Sequence, residues 1–225
     1  MLLERKTACS GSTYWQNPKT GIEYRKVVMG FSWPGKKPGY IIVLSEDRYR
    51  DARSDNYSIN VVTEFEQHGM DVFVEKLHEV AGLYCVTDLY GDPDDKVGRD
   101  FLYSFNDKLS RRGRQGIYIS RPPMIGERQC FEYGVQTILK LLRAGKKVLF
   151  LGEHSRLPSY LLELQPQDVG KADPGDYPAV AALGYAVTAL TCWPAREGQD
   201  QAPQRAITDY DVFNDDKENQ NRRRF

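Results

Sequence analysis

The chain has 225 residues, with Lys plus Arg and Asp plus Glu both at 31, so its formal charge is zero. That length suits one domain of moderate size with a sizeable core. A balanced chain is not broadly electropositive, so any contact with nucleic acid has to come from local basic patches. The four cysteines, Cys9, Cys85, Cys130 and Cys192, form no CxxC pair. Their spacing speaks against a zinc site and fits reduced thiols in a cytosolic setting. The first residues contain no long apolar run, so neither a signal peptide nor a membrane span is expected.

Residues 1–22 are polar and turn-rich and read as an arm or edge segment. Residues 24–33 and 39–45 read as two strands, and 57–66 as a third, with β-branched and aromatic residues alternating with polar ones. A charged loop, EDRYRDARSDN, joins the second to the third. The spacing of Phe73, Leu77 and Val80 predicts a helix over 70–81, with Gly82 as its stop. LYCVTD (83–88) reads as a buried strand ending in an acid, followed by an acidic turn. Phe101, Leu102, Phe105 and Leu109 predict a second helix over 99–109, and GIYIS (116–120) reads as a short strand.

Phe131, Val135, Ile138 and Leu142 form the stripe of a long helix over 127–144, closed by Gly145. KKVLFL (146–151) reads as a strand and 158–164 as a short helix. Val180, Leu183, Val187 and Leu190 lie on one face of a helix over 177–191, with Asp176 suited to its N-cap and Pro178 to its first turn. From residue 194 the chain is polar and highly charged and reads as a mobile tail. Three strands followed by helices alternating with strands define an α/β sheet with an antiparallel hairpin start and a parallel continuation.

The turn between the first two strands holds Gly30, Gly35, Lys36 and Lys37, close to the spacing of a phosphate-binding loop. Such a loop needs a helix after the lysine and a hydroxyl beside it. Here Lys37 stands at the hydroxyl position, and Pro38, Gly39 and the strand-like YIIVL follow. The segment is therefore expected to be a hairpin.

Hairpin, third strand, helix, then a strand carrying an acid is the order of the ribonuclease H-like fold. GFSWPGKKPGYIIVL resembles the opening hairpin of the nuclease domain of tailed-phage large terminase subunits. VTDLYGDP resembles that domain's central strand, FEYGVQTILKLLRAGKKVLFL its later helix and strand, and DYPAVAALGYAVTAL its closing helix. The resemblance covers residues 24–191. It implies a ribonuclease H-like mixed sheet flanked by helices at 23–193, between the arm at 1–22 and the tail at 194–225.

The resemblance also implies cutting of DNA by two divalent metals held by converging carboxylates. Two ions ~4 Å apart would activate the attacking water and stabilise the leaving oxygen. Magnesium or manganese would be the cofactor, because hard cations take oxygen ligands. Matched position by position, the first-strand acid falls on Ser32, the central-strand acid is Asp88, the closing-helix acid falls on Ala181, and the family histidine falls on Pro178. Asp88 and Asp176 are then the candidate catalytic residues, and Asp88, Asp92 and Asp176 the candidate metal ligands. Capping and turn roles are the local reading of Asp176 and of Asp92 to Asp95.

Lys36, Lys37, Arg111, Arg112 and Arg114 are the candidate contacts to DNA phosphates. The expectation is a terminase-nuclease-like packaging component of a phage or prophage that has lost cleavage and holds DNA or a motor partner. The partners implied are double-stranded DNA and a packaging ATPase or portal-type viral protein, in the cytoplasm of a bacterial host, with no membrane. An active magnesium- or manganese-dependent endonuclease with a rearranged acid set is one alternative. A non-DNA interaction protein on the same fold, acting through its tail, is the other.

Overall fold

A computed structural model of the chain describes residues 3–7, 13–47, 59–86, 88–92, 95–120, 127–143, 149–150, 155–165 and 169–191. The chain divides into two units, Met1–Trp193 and Pro194–Phe225. The charged loop after the second expected strand, Asp94, Gly145 and the whole of the tail lie outside the described residues. All the described residues belong to the first unit.

The strands are β1 (Glu4–Thr7), β2 (Thr13–Gln16), β3 (Glu23–Ser32), β4 (Gly39–Asp47), β5 (Ile59–Gln67), β6 (Asp88–Tyr90) and β7 (Leu149–Phe150). The helices are α1 (Met70–Leu83), α2 (Lys96–Ser110), α3 (Glu127–Arg143), α4 (Leu157–Glu163) and α5 (Pro178–Thr191). β3 and β4 form the expected antiparallel hairpin, with Ser32 opposite Tyr40 and Val28 opposite Leu44. Its turn is closed by the Gly35 N–H donating to the Lys37 carbonyl at 3.0 Å, so no helix follows the lysines.

β5 adds antiparallel to β4. β6 lies parallel beside β3, with Val28 level with Asp88 and Gly30 level with Tyr90. β7 lies parallel beside β5. GIYIS contributes a parallel bridge, Leu89 to Ile119, rather than a full strand. The described strands therefore give a mixed sheet in the order β6, β3, β4, β5, β7. The β1–β2 hairpin joins the start of β3 through Trp15 and Tyr24. This hairpin-first, mixed arrangement with helices on both faces is the α/β class expected from the sequence.

Alternation along β3 and β4 feeds two cores. Val27, Met29, Phe31, Ile41 and Val43 point to α1 and α2, where Phe73, Leu77 and Leu102 meet them. Val28, Ile42 and Leu44 point to the other face, under α3 and α5. α5 is buried from Ala179 to Leu190 because it is sandwiched between the sheet and α3. Its small residues permit that. A Cβ on Gly30 would stand 2.0 Å from the Ala182 carbonyl oxygen, and one on Gly134 of α3 would stand 2.6 Å from the Gly184 Cα.

Three local expectations need correction. LYCVTD is not a strand: α1 runs on to Leu83, and Asp88 begins β6 rather than ending a strand. The cause is a Schellman closure. Val86 N–H donates to the Ala81 carbonyl at 2.9 Å and Cys85 N–H to the Gly82 carbonyl at 3.3 Å. Cys85 takes the left-handed conformation (φ 51°) that such a closure requires. Gly82 is thus inside the last turn, and the strand cannot start until the chain has left it.

Second, Asp176 does not directly precede α5. It ends a 3-10 turn, Pro174–Asp176, whose own cap is Asp173, accepting from the Gly175 N–H at 2.8 Å. Tyr177 intervenes, and Pro178 opens the helix, where its missing N–H costs nothing. Third, Phe101 and Leu142 stay partly exposed instead of joining their helices' buried stripes. On α2 the buried line is Gly98, Leu102, Asn106 and Leu109.

Candidate functional site

The end of β3 at Ser32 organises the site. Ser32 is buried, 6% exposed, and stands opposite Tyr40 on β4, which stands opposite Glu66 on β5. On the other side, the parallel register of β3 and β6 carries past Tyr90: the Phe31 ring lies so close to Gly91 that a Cβ there would be 2.3 Å from it. Asp92 lies two residues past Tyr90, beyond the end of β6. One row across the sheet reads Ser32, Tyr40, Glu66. Above it sits the start of α5.

A cleft opens at this row, lined by Lys37, Pro38, Tyr40, Glu66, Tyr160, Glu163, Asp176, Tyr177 and the first residues of α5. Tyr40 and Tyr160 pack edge to face at 5.7 Å. The Tyr160 hydroxyl donates to Glu66 at 3.3 Å, and Arg156 Nη1 lies 3.3 Å from the same carboxylate oxygen. Burial and the neighbouring Glu64 carboxylate, which Tyr40 hydrogen-bonds, push the Tyr40 phenol far above its ordinary value. Glu64 also accepts from the Ser155 hydroxyl at 2.9 Å and the Arg156 N–H at 2.6 Å. Glu64 and Glu66, on one face of β5, thus anchor the start of α4.

Lys37 is engaged with the cleft wall, its ammonium 3.8 Å from Glu163 and 5.6 Å above the Tyr177 ring.

The sequence-derived candidates are dispersed over this frame. Asp176 lines the cleft. Asp92 follows the end of β6 and is not among the residues that line the cleft. Asp88 lies level with Val28, four residues back from Ser32, or roughly 13 Å along the strand. Its neighbours there are Lys26, Glu46 and Tyr90, not Asp176. Among the described residues, no three His, Cys, Asp or Glu side chains are grouped closely enough to hold a metal ion. Ser32 is buried, and Ala181 is 0% exposed inside α5.

The basic candidates fall into two separate groups. Lys36 and Lys37 are exposed in the β3–β4 turn. Trp33, beside that turn, packs over Gly98 in the first turn of α2. Arg111, Arg112 and Arg114 are exposed at the far end of α2. That helix has 15 residues and is roughly 22 Å long.

Sequence reasoning missed Lys26, Glu64, Glu66 and Tyr40. Asp95, read from the sequence as a turn residue, is the N-cap of α2, accepting from the Gly98 N–H at 2.9 Å. The i, i+2 spacing of Glu64 and Glu66 is a readable signal that both share a face.

No protein-family model matches the sequence, and comparison with curated proteins finds no match. Likenesses among solved structures include the following three. The large terminase of a thermophilic bacteriophage is 11% identical with a TM-score of 0.46, over 76% of this chain and 41% of that one. A yeast mitochondrial Holliday junction resolvase is 9% identical with a TM-score of 0.37, over 72% of this chain and 81% of that one. Fowlpox virus resolvase, solved with its Holliday junction DNA, is 8% identical with a TM-score of 0.36, over 72% of this chain and 95% of that one. No described helix is long and apolar enough to cross a membrane.

Proposed function

We propose that this is a nuclease-like protein that has lost metal-dependent cleavage and works in phage DNA packaging by holding double-stranded DNA or a motor partner. The observation that carries the reading is the pair of closed acid positions. Ser32 ends β3 where the fold would place its first carboxylate, and Ala181 is enclosed within α5. A two-metal reaction needs carboxylates around ions ~4 Å apart, and Asp88 is a whole stretch of strand away from Asp92 and the cleft. Exposed Lys36, Arg111, Arg112 and Arg114 supply the charge for phosphate contacts. A packaging ATPase or portal-type protein in a bacterial host is the motor partner implied by the terminase resemblance.

The test is incubation of the purified full chain with plasmid and manganese, alongside a band-shift assay at low salt. Retarded but intact DNA is expected. Manganese-dependent cutting that disappears in Asp92→Asn or Asp88→Asn would overturn the loss of cleavage and favour a rearranged site. Failure to bind DNA at low salt would remove the DNA role.

A further inference from the structure

Asp88 has a charge partner that only the strand register reveals. Lys26 stands directly opposite Glu46 in the β3–β4 ladder. Two residues further along β3, Val28 stands level with Asp88 on β6. Because side chains alternate, Lys26, Glu46 and Asp88 all project from the face that carries α5. Neighbours on that diagonal are within reach of a lysine's length. Glu46 is only 6% exposed, and a carboxylate so enclosed is costly unless a positive charge meets it. Burial works against the Lys26 charge and pulls its value down overall, Asp88 and then Glu46 offset part of that by attracting the ammonium, and the adjacent Arg25 opposes it slightly.

We propose that Lys26 is the built-in counter-cation of the Glu46–Asp88 pair, occupying the position a divalent metal would need to use Asp88. In this arrangement the chain supplies from β3 the positive charge that a metal would otherwise bring. Asp88 then acts as a positioning residue that pins β6 to β3 near the start of their pairing. The inference deepens the non-cleaving reading, since it says what became of the one acid the family pattern retains. It does not depend on DNA binding, because its readout is the melting of the protein alone.

The experiment is thermal melting of the full chain as wild type, Lys26→Met, and the neutral triple variant Lys26→Met/Glu46→Gln/Asp88→Asn, each with and without millimolar manganese. Without metal, Lys26→Met should melt roughly 10 °C lower, because the enclosed Glu46 and the half-buried Asp88 lose this positive charge. The triple variant should recover most of that loss. Manganese should raise the midpoint of Lys26→Met and leave wild type and the triple variant unchanged. A triple variant no more stable than Lys26→Met would overturn the counter-cation role, even if the single variant does not fold. Manganese stabilising the wild type, or failing to stabilise a folded Lys26→Met, would overturn the claim that lysine holds the metal's place.

Discussion

Tyr40 is the residue in which burial and charge meet most sharply. It is 2% exposed, and its hydroxyl hydrogen-bonds the Glu64 carboxylate. Its phenol is held far above the ordinary 10.0, first by desolvation and then by the carboxylates of Glu64 and Glu66. Tyr90 is raised in the same direction by burial and by Asp88. Above pH 10 the unfolded chain releases these two protons and the folded chain keeps them, so the unfolded state binds fewer protons and stability falls as pH rises. Lys26 acts with the opposite sign. Its folded value lies below 10.5, so the unfolded chain binds the extra proton in the window beneath 10.5, and stability rises there with pH. Beyond that window the tyrosines act alone. Melting points measured from about pH 10.5 to 12 should therefore fall steeply, each tyrosine contributing up to about 1.4 kcal/mol per pH unit. Burial and Glu66 raise Tyr160 as well, so Tyr40→Phe should remove roughly a third to a half of that slope, although at neutral pH it costs the hydrogen bond to Glu64. An unchanged slope would mean that Tyr40 ionises in the folded protein like an exposed phenol.

Among the elements, α5 controls how the site is assembled, because its first turn roofs the cleft and its middle lies on β3. Gly30 makes that approach possible. A methyl group there meets backbone, the Ala182 carbonyl, and Ala186 Cβ at 2.8 Å. Neither of these can swing aside as a long side chain would. Gly30→Ala should cost about 3 kcal/mol, at the upper end of overpacking penalties, and lower the melting point by roughly 10 °C. Gly35→Ala, in the hairpin turn with nothing within 4 Å of its Cβ position, is the control that should change little. The same physics decides which elements can be read from the sequence. Both hairpin strands, α1, α3 and α5 are readable because long apolar periodicity reports burial directly. The start of β6 is not, because the Schellman closure puts Cys85, rather than a glycine, in the left-handed position, and propensity gives no hint of it. Of the candidate site, Asp176 does line the cleft at the end of β3. Asp88 does not, because the strand starts five residues later than expected and Asp88 stands at its beginning, four residues or ~13 Å back from the level of Ser32. Lys26 and Glu46 meet only through register, which a single sequence does not encode visibly.

On the scale of the whole molecule, a neutral chain binds a polyanion only as strongly as its exposed cations can be brought along one line. The arginines stand at the C-terminal end of α2, whereas Lys37 in the β3–β4 turn packs on Glu163 and Tyr177, away from α2. The two groups therefore make separate contributions to any duplex contact. They should not contribute equally. Lys37 is already shared between Glu163 and the Tyr177 ring. Arg111, Arg112 and Arg114 project from an exposed loop that Asn106 braces from α2 through two hydrogen bonds to Ile117, at 2.7 and 3.1 Å. Each phosphate contact adds about 0.9 to the slope of log affinity against log salt. Replacing the three arginines by alanine should therefore reduce the slope by about 2.7 if all three reach the backbone. Replacing Lys36 and Lys37 should reduce it by about 1, because the cleft wall already holds Lys37. Affinity across a salt series for both variants measures this directly. Equal reductions would mean that the cleft releases Lys37 on binding and that the hairpin turn, rather than the arginine loop, is the main contact with DNA. An unchanged slope in both would remove the duplex from both groups altogether.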